Sequence, residues 1–272
     1  MNTIAFLHAH PDDEASQTSG SMARAAAAGA RVIVVFATNG DHGEQPDDLA
    51  EGETLVDRRR LEAANSAAAL GIARVAWLDY ADSGMTGWDQ NAHEHSFHQA
   101  PLDEAGQRLA DLLDEEDVDI VVGYDWHGGY GHPDHVKVHH VAHRAADLAL
   151  RRPKVLESTM NRDRVRTLMQ LATAAGQGGT AFDPDGPMDD GNPLGTPEAE
   201  IHWQVDVTNY VDHKRAALEA HQSQASDIQG FLSMPPEMFT TFFGWEHFIE
   251  PGRTAGMQLG WPFADPTEVV NR

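Results

Sequence analysis

Strand-length apolar runs alternate with helix-length segments through the first 175 residues, and this order constrains the fold more than any other feature of the chain. Ile4 to His8 reads as a strand. Glu14 to Ala28 follows as an Ala-rich helix that stops at Gly29, the residue type favoured just past a helix end. Arg31 to Thr38 (RVIVVFAT) is β-branched and apolar on both faces, as in a parallel strand covered by helices on each side. The pattern then predicts a helix over Thr54 to Leu70 closed by Gly71, a strand over Val75 to Leu78, and a long loop over Asp79 to Ala100. A helix over Leu102 to Glu115, a strand over Asp119 to Tyr124, a helix over Asp134 to Leu150, a strand over Lys154 to Thr159 and a helix over Asn161 to Ala175 complete it. Such an order implies a mostly parallel sheet with right-handed crossovers, here an α/β Rossmann-like three-layer sandwich. Residues 176–197, rich in Gly, Pro and Asp, read as a mobile loop. A strand over Ile201 to Val205, a helix from Val211 to about Ser223 and an irregular aromatic tail form a C-terminal extension. One domain over 1–272 is expected, with its core in 1–175 and the loop and extension in 176–272.

A chain of 272 residues buries enough surface to fold without staples, and it contains no cysteine. That excludes a disulfide scaffold, a Cys-ligated zinc finger, an iron–sulfur centre and a thiol nucleophile. Any metal site must use His, Asp and Glu. The net charge of −24 repels a phosphate backbone and an anionic membrane surface, so neither nucleic acid nor membrane is an expected partner. No apolar run approaches the roughly 20 residues of a membrane helix, and no basic leader is seen at Met1, so a cytoplasmic protein is expected.

Two distant motifs specify one site. His8-Ala9-His10-Pro11-Asp12-Asp13-Glu14 lies just beyond the first strand, and Gly131-His132-Pro133-Asp134-His135 lies beyond the strand that ends at Tyr124. In a parallel sheet the strand C-ends share one edge, where such folds bind ligands, so the two motifs can meet. His and carboxylate ligands with one position left open describe a catalytic zinc site, and His10, Asp13 and His135 supply a His₂Asp set. Asp12 need not ligate, so it is free to take a proton from water that a metal activates. His132 is a candidate to stabilise an oxyanion or protonate a leaving amine, with Asp134 orienting it. The acidic residues also suit a plainer role, since Asp12, Asp13, Glu14 and Asp134 are good cap and first-turn residues. Capping does not account for two His-Pro-Asp motifs, each beyond a strand. A His/His/Asp set admits iron(II) as well as zinc.

These motifs resemble the PIG-L/LmbE-type zinc-dependent N-deacetylases, a family that includes the N-acetylglucosaminyl-phosphatidylinositol de-N-acetylases and the mycothiol-pathway deacetylase and conjugate amidase. The resemblance extends to Arg59-Arg60-Leu61-Glu62 with Ala69-Leu70-Gly71, to Asp82-Ser83-Gly84-Met85, to Gly128-Gly129-Tyr130-Gly131, and to Lys214 to Gln224. It covers most of residues 3–225. It implies a Rossmann-like fold and hydrolysis of an N-acetyl group on a small amino-sugar substrate. It also implies His10, Asp13 and His135 as zinc ligands, Asp12 as general base, and His132 with Asp134 at the tetrahedral intermediate. On the resemblance alone, Arg59 and Asp82 face the sugar and Tyr130 the acyl carbonyl. A mycothiol-conjugate amidase and a non-catalytic histidine-rich metal-binding protein are the rival readings. A binuclear phosphoesterase needs more carboxylate ligands than the motifs supply.

Other features carry weaker signals. His93, His95 and His98 crowd one loop and offer a second metal site, against a solvated cluster. His135, His139 and His143 share one helix face, the latter two as packing or surface residues. Trp126 and His127 follow a strand end, at a pocket rim or in packing, and Gly40 to Glu44 reads as a turn near the substrate. No Gly-x-Gly-x-x-Gly follows the first strand, which argues against a dinucleotide. Phe239, Phe242, Phe243, Trp245 and Phe248 suit core closure first and a homo-oligomer contact second.

Overall fold

The computed structural model describes residues 2–174, 182–254 and 256–264. Its strands are β1 (Thr3–His8), β2 (Arg31–Thr38), β3 (Arg74–Tyr80), β4 (Ile120–Tyr124), β5 (Lys154–Thr159), β6 (Trp203–Asp206), β7 (Trp245–Ile249) and β8 (Gln258–Leu259). The helices are α1 (Asp13–Gln17), α2 (Ser19–Ala27), α3 (Leu55–Leu70), α4 (Leu102–Glu115), α5 (Pro133–Leu148), α6 (Arg162–Ala174), α7 (Val211–Ala220), α8 (Ala225–Leu232) and α9 (Pro236–Phe243). The strands form one sheet in the order β3-β2-β1-β4-β5-β7-β6-β8. β1 to β5 are mutually parallel, and β7 runs antiparallel to both β5 and β6.

Alternation along the strands sorts the core into two layers. Ala5, Leu7, Ile33 and Val35 join Leu109 of α4 and Val138 and Val141 of α5 on one face. Ile4, Phe6, Val32, Val34 and Phe36 join Met22 of α2, Ala63 of α3 and Leu218 of α7 on the other. Helices thus cover both faces, which is why RVIVVFAT carries no polar face. The ends of α3 follow local chemistry. Thr54 and Asp57 form a reciprocal capping box, and Gly71 closes the helix in the left-handed region at φ 72°.

The structure corrects two expectations. The first helix is not continuous but breaks at Thr18, whose hydroxyl lies 2.9 Å from His8 Nε2. The tail after Gln224 is not irregular but comprises α8, α9 and β7, with Phe239, Phe243 and Phe248 buried in the second core layer. In the 176–197 loop, residues 176–181 lie outside the described residues, as does Ala175 at the end of the expected sixth helix. Later loop residues are pinned by Asp189 N–H to the Tyr130 carbonyl (3.0 Å) and Gly195 N–H to the Gly129 carbonyl (2.6 Å). Among the described residues no helix is long and apolar enough to cross a membrane.

Candidate active site

The sheet order sets where a site can form. The chain leaves β1 toward β2 on one side, while β4 lies on the other side of β1. That reversal opens a crevice at the C-terminal ends of β1 and β4. Both His-Pro-Asp motifs lie at this crevice. α1 begins five residues after β1 ends, and α5 begins after the Gly-rich turn that follows β4.

His10, Asp13 and His135 come together there, with ligand atoms within 4.8 Å of one another. His10 Nδ1 is 3.4 Å and His135 Nε2 3.3 Å from Asp13 Oδ2. Outer contacts decide which nitrogen of each ring faces that point. His10 Nε2 lies 3.2 Å from Asp134 Oδ2, an acceptor, so it carries the proton and leaves the Nδ1 lone pair toward Asp13. His135 Nδ1 lies 3.2 Å from the Gly128 carbonyl, so it too is protonated and leaves Nε2 toward Asp13. Two imidazole lone pairs and a carboxylate oxygen therefore face one point, at separations close to the ~3.3 Å between ligands of a tetrahedral metal. A cation satisfies all three; without one, a second proton on His10 takes its place beside Asp13. The remaining contacts fix Asp13, whose Oδ2 accepts the His10 backbone N–H (2.8 Å) and whose Oδ1 accepts from Gln17 (3.2 Å).

The local potential agrees. Burial alone lowers an imidazole, yet the Asp82 charge and hydrogen bonds to Asp13 and Asp134 lift His10 well above its ordinary range. Burial would raise Asp13 and Asp82, but neighbouring His135 and His10 hold Asp13 far down, and His10 with the Gly84 N–H holds Asp82 far down. Such a field attracts positive charge. A second grouping, His10, Asp82 and His132, also brings ligand atoms within 4.8 Å of one another. It is the poorer ligand set, because His10 Nε2 is engaged by Asp134 and His132 Nδ1 accepts the Asp134 backbone N–H at 3.1 Å.

Asp12 stands beside this centre on strained backbone, at φ 129° and ψ −28°. It occupies the position before α1 but makes no capping bond. Its N–H donates to Glu14 Oε2 (2.9 Å), and its Oδ2 accepts from Arg59 Nη2 (2.9 Å). Burial pushes the Asp12 carboxyl up to about 6, against the pull of Arg59 and with the help of the Asp13 charge. His132 is the N-cap of α5, a place expected for Asp134, and Pro133 follows at the first helical position. Burial, with His10 and His135 nearby, pushes His132 down to about 2, so it is a neutral ring whose proton sits on Nε2.

Other expected residues fall differently. The Asp134 carboxylate does not back His132; it meets His10 and the N–H and hydroxyl of Ser83, so it orients a candidate ligand instead. Arg59 is fully buried and grips Asp12, the Pro11 carbonyl (2.5 Å) and the Gly40 carbonyl (2.8 Å). Asp82 lines the cavity, and Tyr130 places its hydroxyl 3.4 Å from His135 Nε2. His42 and Gly43 line the cavity too, whereas Trp126 and His127 are not among its lining residues. His93, His95 and His98 do not form a ligand cluster among the described residues.

Sequence reasoning missed the residues that hold Asp12 in place. Buried Glu14 accepts from the Asp12 N–H with one oxygen, and with the other meets Ser66 Oγ (2.5 Å) and His221 Nε2 (2.6 Å). Glu62 accepts from Ser223 through its N–H (2.8 Å) and hydroxyl (2.6 Å). Arg59 and Glu62 thus act from one face of α3, one on Asp12 and one on the 221–224 turn. The signal was present in the matching Arg-x-x-Glu and Lys214–Gln224 segments, but their contact was not readable.

The cavity above the centre holds about 460 Å³. Its polar end carries His10, Asp12, Asp13 and His132, and Met85 and half-exposed Trp88 stand along it. Beyond them the wall turns apolar through Val165, Leu168, Ile228, Phe231 and Phe242.

The model of the family described as "PIG-L: GlcNAc-PI de-N-acetylase" matches residues 5–146. A 1D-myo-inositol 2-acetamido-2-deoxy-alpha-D-glucopyranoside deacetylase of Acidothermus cellulolyticus is 35% identical over 261 residues, covering 92% of this chain and 88% of that relative. The protein of the same name from Saccharomonospora viridis is 36% identical, covering 81% and 84%. Among solved structures, N,N'-diacetylchitobiose deacetylase from Pyrococcus horikoshii superposes with a TM-score of 0.58 at 21% identity, over 91% of this chain and 82% of that one. The 4-carboxy-2-hydroxymuconate hydratase GalB of Pseudomonas putida superposes with a TM-score of 0.57 at 17% identity, over 96% and 100%. At those identities the structural likeness establishes the fold, which hosts both a deacetylase and a hydratase.

Proposed function

The chain belongs to the PIG-L family of GlcNAc-PI de-N-acetylases, and from that premise we propose that it is a zinc-dependent amidohydrolase that removes the acetyl group from an N-acetylglucosamine-type small molecule. The observation that carries the reading is the convergence of the His10 Nδ1 and His135 Nε2 lone pairs on Asp13, with the raised carboxylate of Asp12 alongside. His10, Asp13 and His135 would hold the ion. When bound, it supplies a Lewis acid toward an amide carbonyl and toward water.

The side chains divide the remaining work. Asp12, with a carboxyl near 6, is ionised at neutral pH yet basic enough to take a proton from water attacking the amide carbon. It then returns that proton to the departing amine nitrogen. Neutral His132 donates from Nε2 to the carbonyl oxygen as that oxygen gains charge. Arg59 positions Asp12 rather than the sugar. Asp82 and Tyr130 remain in reach of substrate, and Trp88 with Met85 offers an apolar surface for the C–H face of the pyranose. The relatives' named substrate, an N-acetylglucosaminide of inositol, makes GlcNAc-inositol the first compound to test.

The test is incubation of metal-loaded protein with GlcNAc-inositol and other N-acetylglucosamine conjugates, with and without chelator, followed by mass spectrometry. Chelator-sensitive release of acetate and free amine supports the reading. Release of a larger acyl fragment from a cysteinyl amide would move it to a conjugate amidase. No amine from any conjugate would contradict it.

A further inference from the structure

One cluster of metal-ligating side chains lies outside the active site and has no part in the chemistry above. His139 and His143 are one turn apart on α5, about 6 and 12 Å along the helix from His135. Across from them is Glu157, on the neighbouring strand β5. The three residues offer ligand atoms within 4.8 Å of one another.

Glu157 is only 8% exposed, and its carboxylate oxygen Oε1 is approached by both rings. His143 Nε2 lies at 2.8 Å and His139 Nδ1 at 3.7 Å from that oxygen. His139 Nδ1 also lies 3.1 Å from the Tyr124 carbonyl, so without an ion it carries a proton that metal binding would displace. The rings themselves are 4.7 Å apart. A buried carboxylate needs a positive partner, and none of the ion pairs at Glu157 involves a lysine or arginine. Two imidazole nitrogens and a carboxylate oxygen lie within 4.8 Å of one another instead. The two imidazole–carboxylate separations, 2.8 and 3.7 Å, bracket the ~3.3 Å expected between ligands of a tetrahedral ion. Both rings are partly exposed, at 17% and 31% of the side chain, which gives an ion a way in.

We propose that His139, His143 and Glu157 form a second cation site, for a first-row divalent ion such as Zn2+, that clamps α5 to β5. Imidazole and carboxylate donors in this number suit that class of ion, and a helical His pair one turn apart presents both nitrogens to the same side. The clamp would steady the helix whose first turn carries His132 and His135. It does not depend on the reading of the active site.

The experiment is calorimetric titration of Zn2+ into chelator-stripped protein, with wild type compared against His143→Ala and Glu157→Gln, together with thermal melts with and without Zn2+. Each variant is expected to bind one equivalent fewer than wild type, and to gain less melting temperature from Zn2+. Because the readout is a difference, occupancy of the active site cancels. Glu157→Gln keeps the shape and an acceptor for His143, so it decides the matter alone if His143→Ala fails to fold. Equal equivalents in wild type and variants would overturn the proposal and leave the cluster as a hydrogen-bonded network.

Discussion

Arg59 Nη2 lies 2.9 Å from Asp12 Oδ2, and Asp12 holds its backbone at φ 129°. That conformation costs about 1–3 kcal/mol for a non-glycine residue and persists only where its surroundings impose it. Here Glu14 takes the Asp12 N–H, while Arg59 takes both the Asp12 side chain and the Pro11 carbonyl. The strain holds the Asp12 carboxylate on Arg59 at the wall of the cavity.

Arg59 should therefore behave as a positioning residue. Arg59→Lys keeps a charge but loses the fork that spans Asp12, Pro11 and Gly40. The expected result is a fall in kcat of about ten- to a hundredfold with KM moved much less. Steady-state kinetics separate this from sugar binding, for which KM would rise instead.

Trp88 tests the sugar platform. It is half exposed beside the cavity, and its indole packs on Gly84 so closely that a Cβ there would sit 2.7 Å from it. The loop is tied by Asn91, whose amide donates to the Ser83 and Met85 carbonyls (2.6 and 3.1 Å). Trp88→Ala should raise KM for N-acetylglucosamine conjugates by about tenfold with kcat nearly unchanged, and Trp88→Phe should recover most of it. An unchanged KM would remove Trp88 from the substrate surface.

His247 supplies a pH dependence of stability. It is buried, its Nε2 has no hydrogen-bond partner among the described residues, and burial together with Arg164 pushes it down to about 4. An unfolded imidazole titrates near 6.5. Between those values the unfolded chain binds a proton that the folded chain refuses, so stability falls as pH drops from about 6.5 to about 4. Above that window the residue has no such effect. The slope from this one group is roughly 1 kcal/mol per pH unit. Urea midpoints for His247→Gln should decline less steeply over that window than those of wild type; parallel curves would show that His247 titrates freely.

Much of the frame was legible because it is local. Arg31–Thr38, Leu102–Glu115 and Lys154–Thr159 appear with the expected boundaries, since each is a single apolar period bounded by turn or polar residues. The break at Thr18 was hidden, because it answers to a contact with His8 rather than to any helix breaker. The tail was misread because α8 and α9 are only eight residues each, with polar and apolar residues mixed, and β7 is a strand through its pairing between β5 and β6. The two His-Pro-Asp motifs were legible as residue types beyond strands, and the structure brings them together. The support was not: Asp134 meets His10 across 124 positions and Glu14 meets His221 across 207. Contacts of that range leave no periodicity to read.

The most direct test of the account is Asp12→Asn, assayed for metal content and amide hydrolysis in the same sample. Asn tolerates positive φ better than most residues, so the fold should survive. The account predicts metal content equal to wild type and hydrolysis slowed by about a hundredfold or more. Wild-type rates with metal bound would contradict it, because a carboxylate that can be neutralised without consequence is not the base.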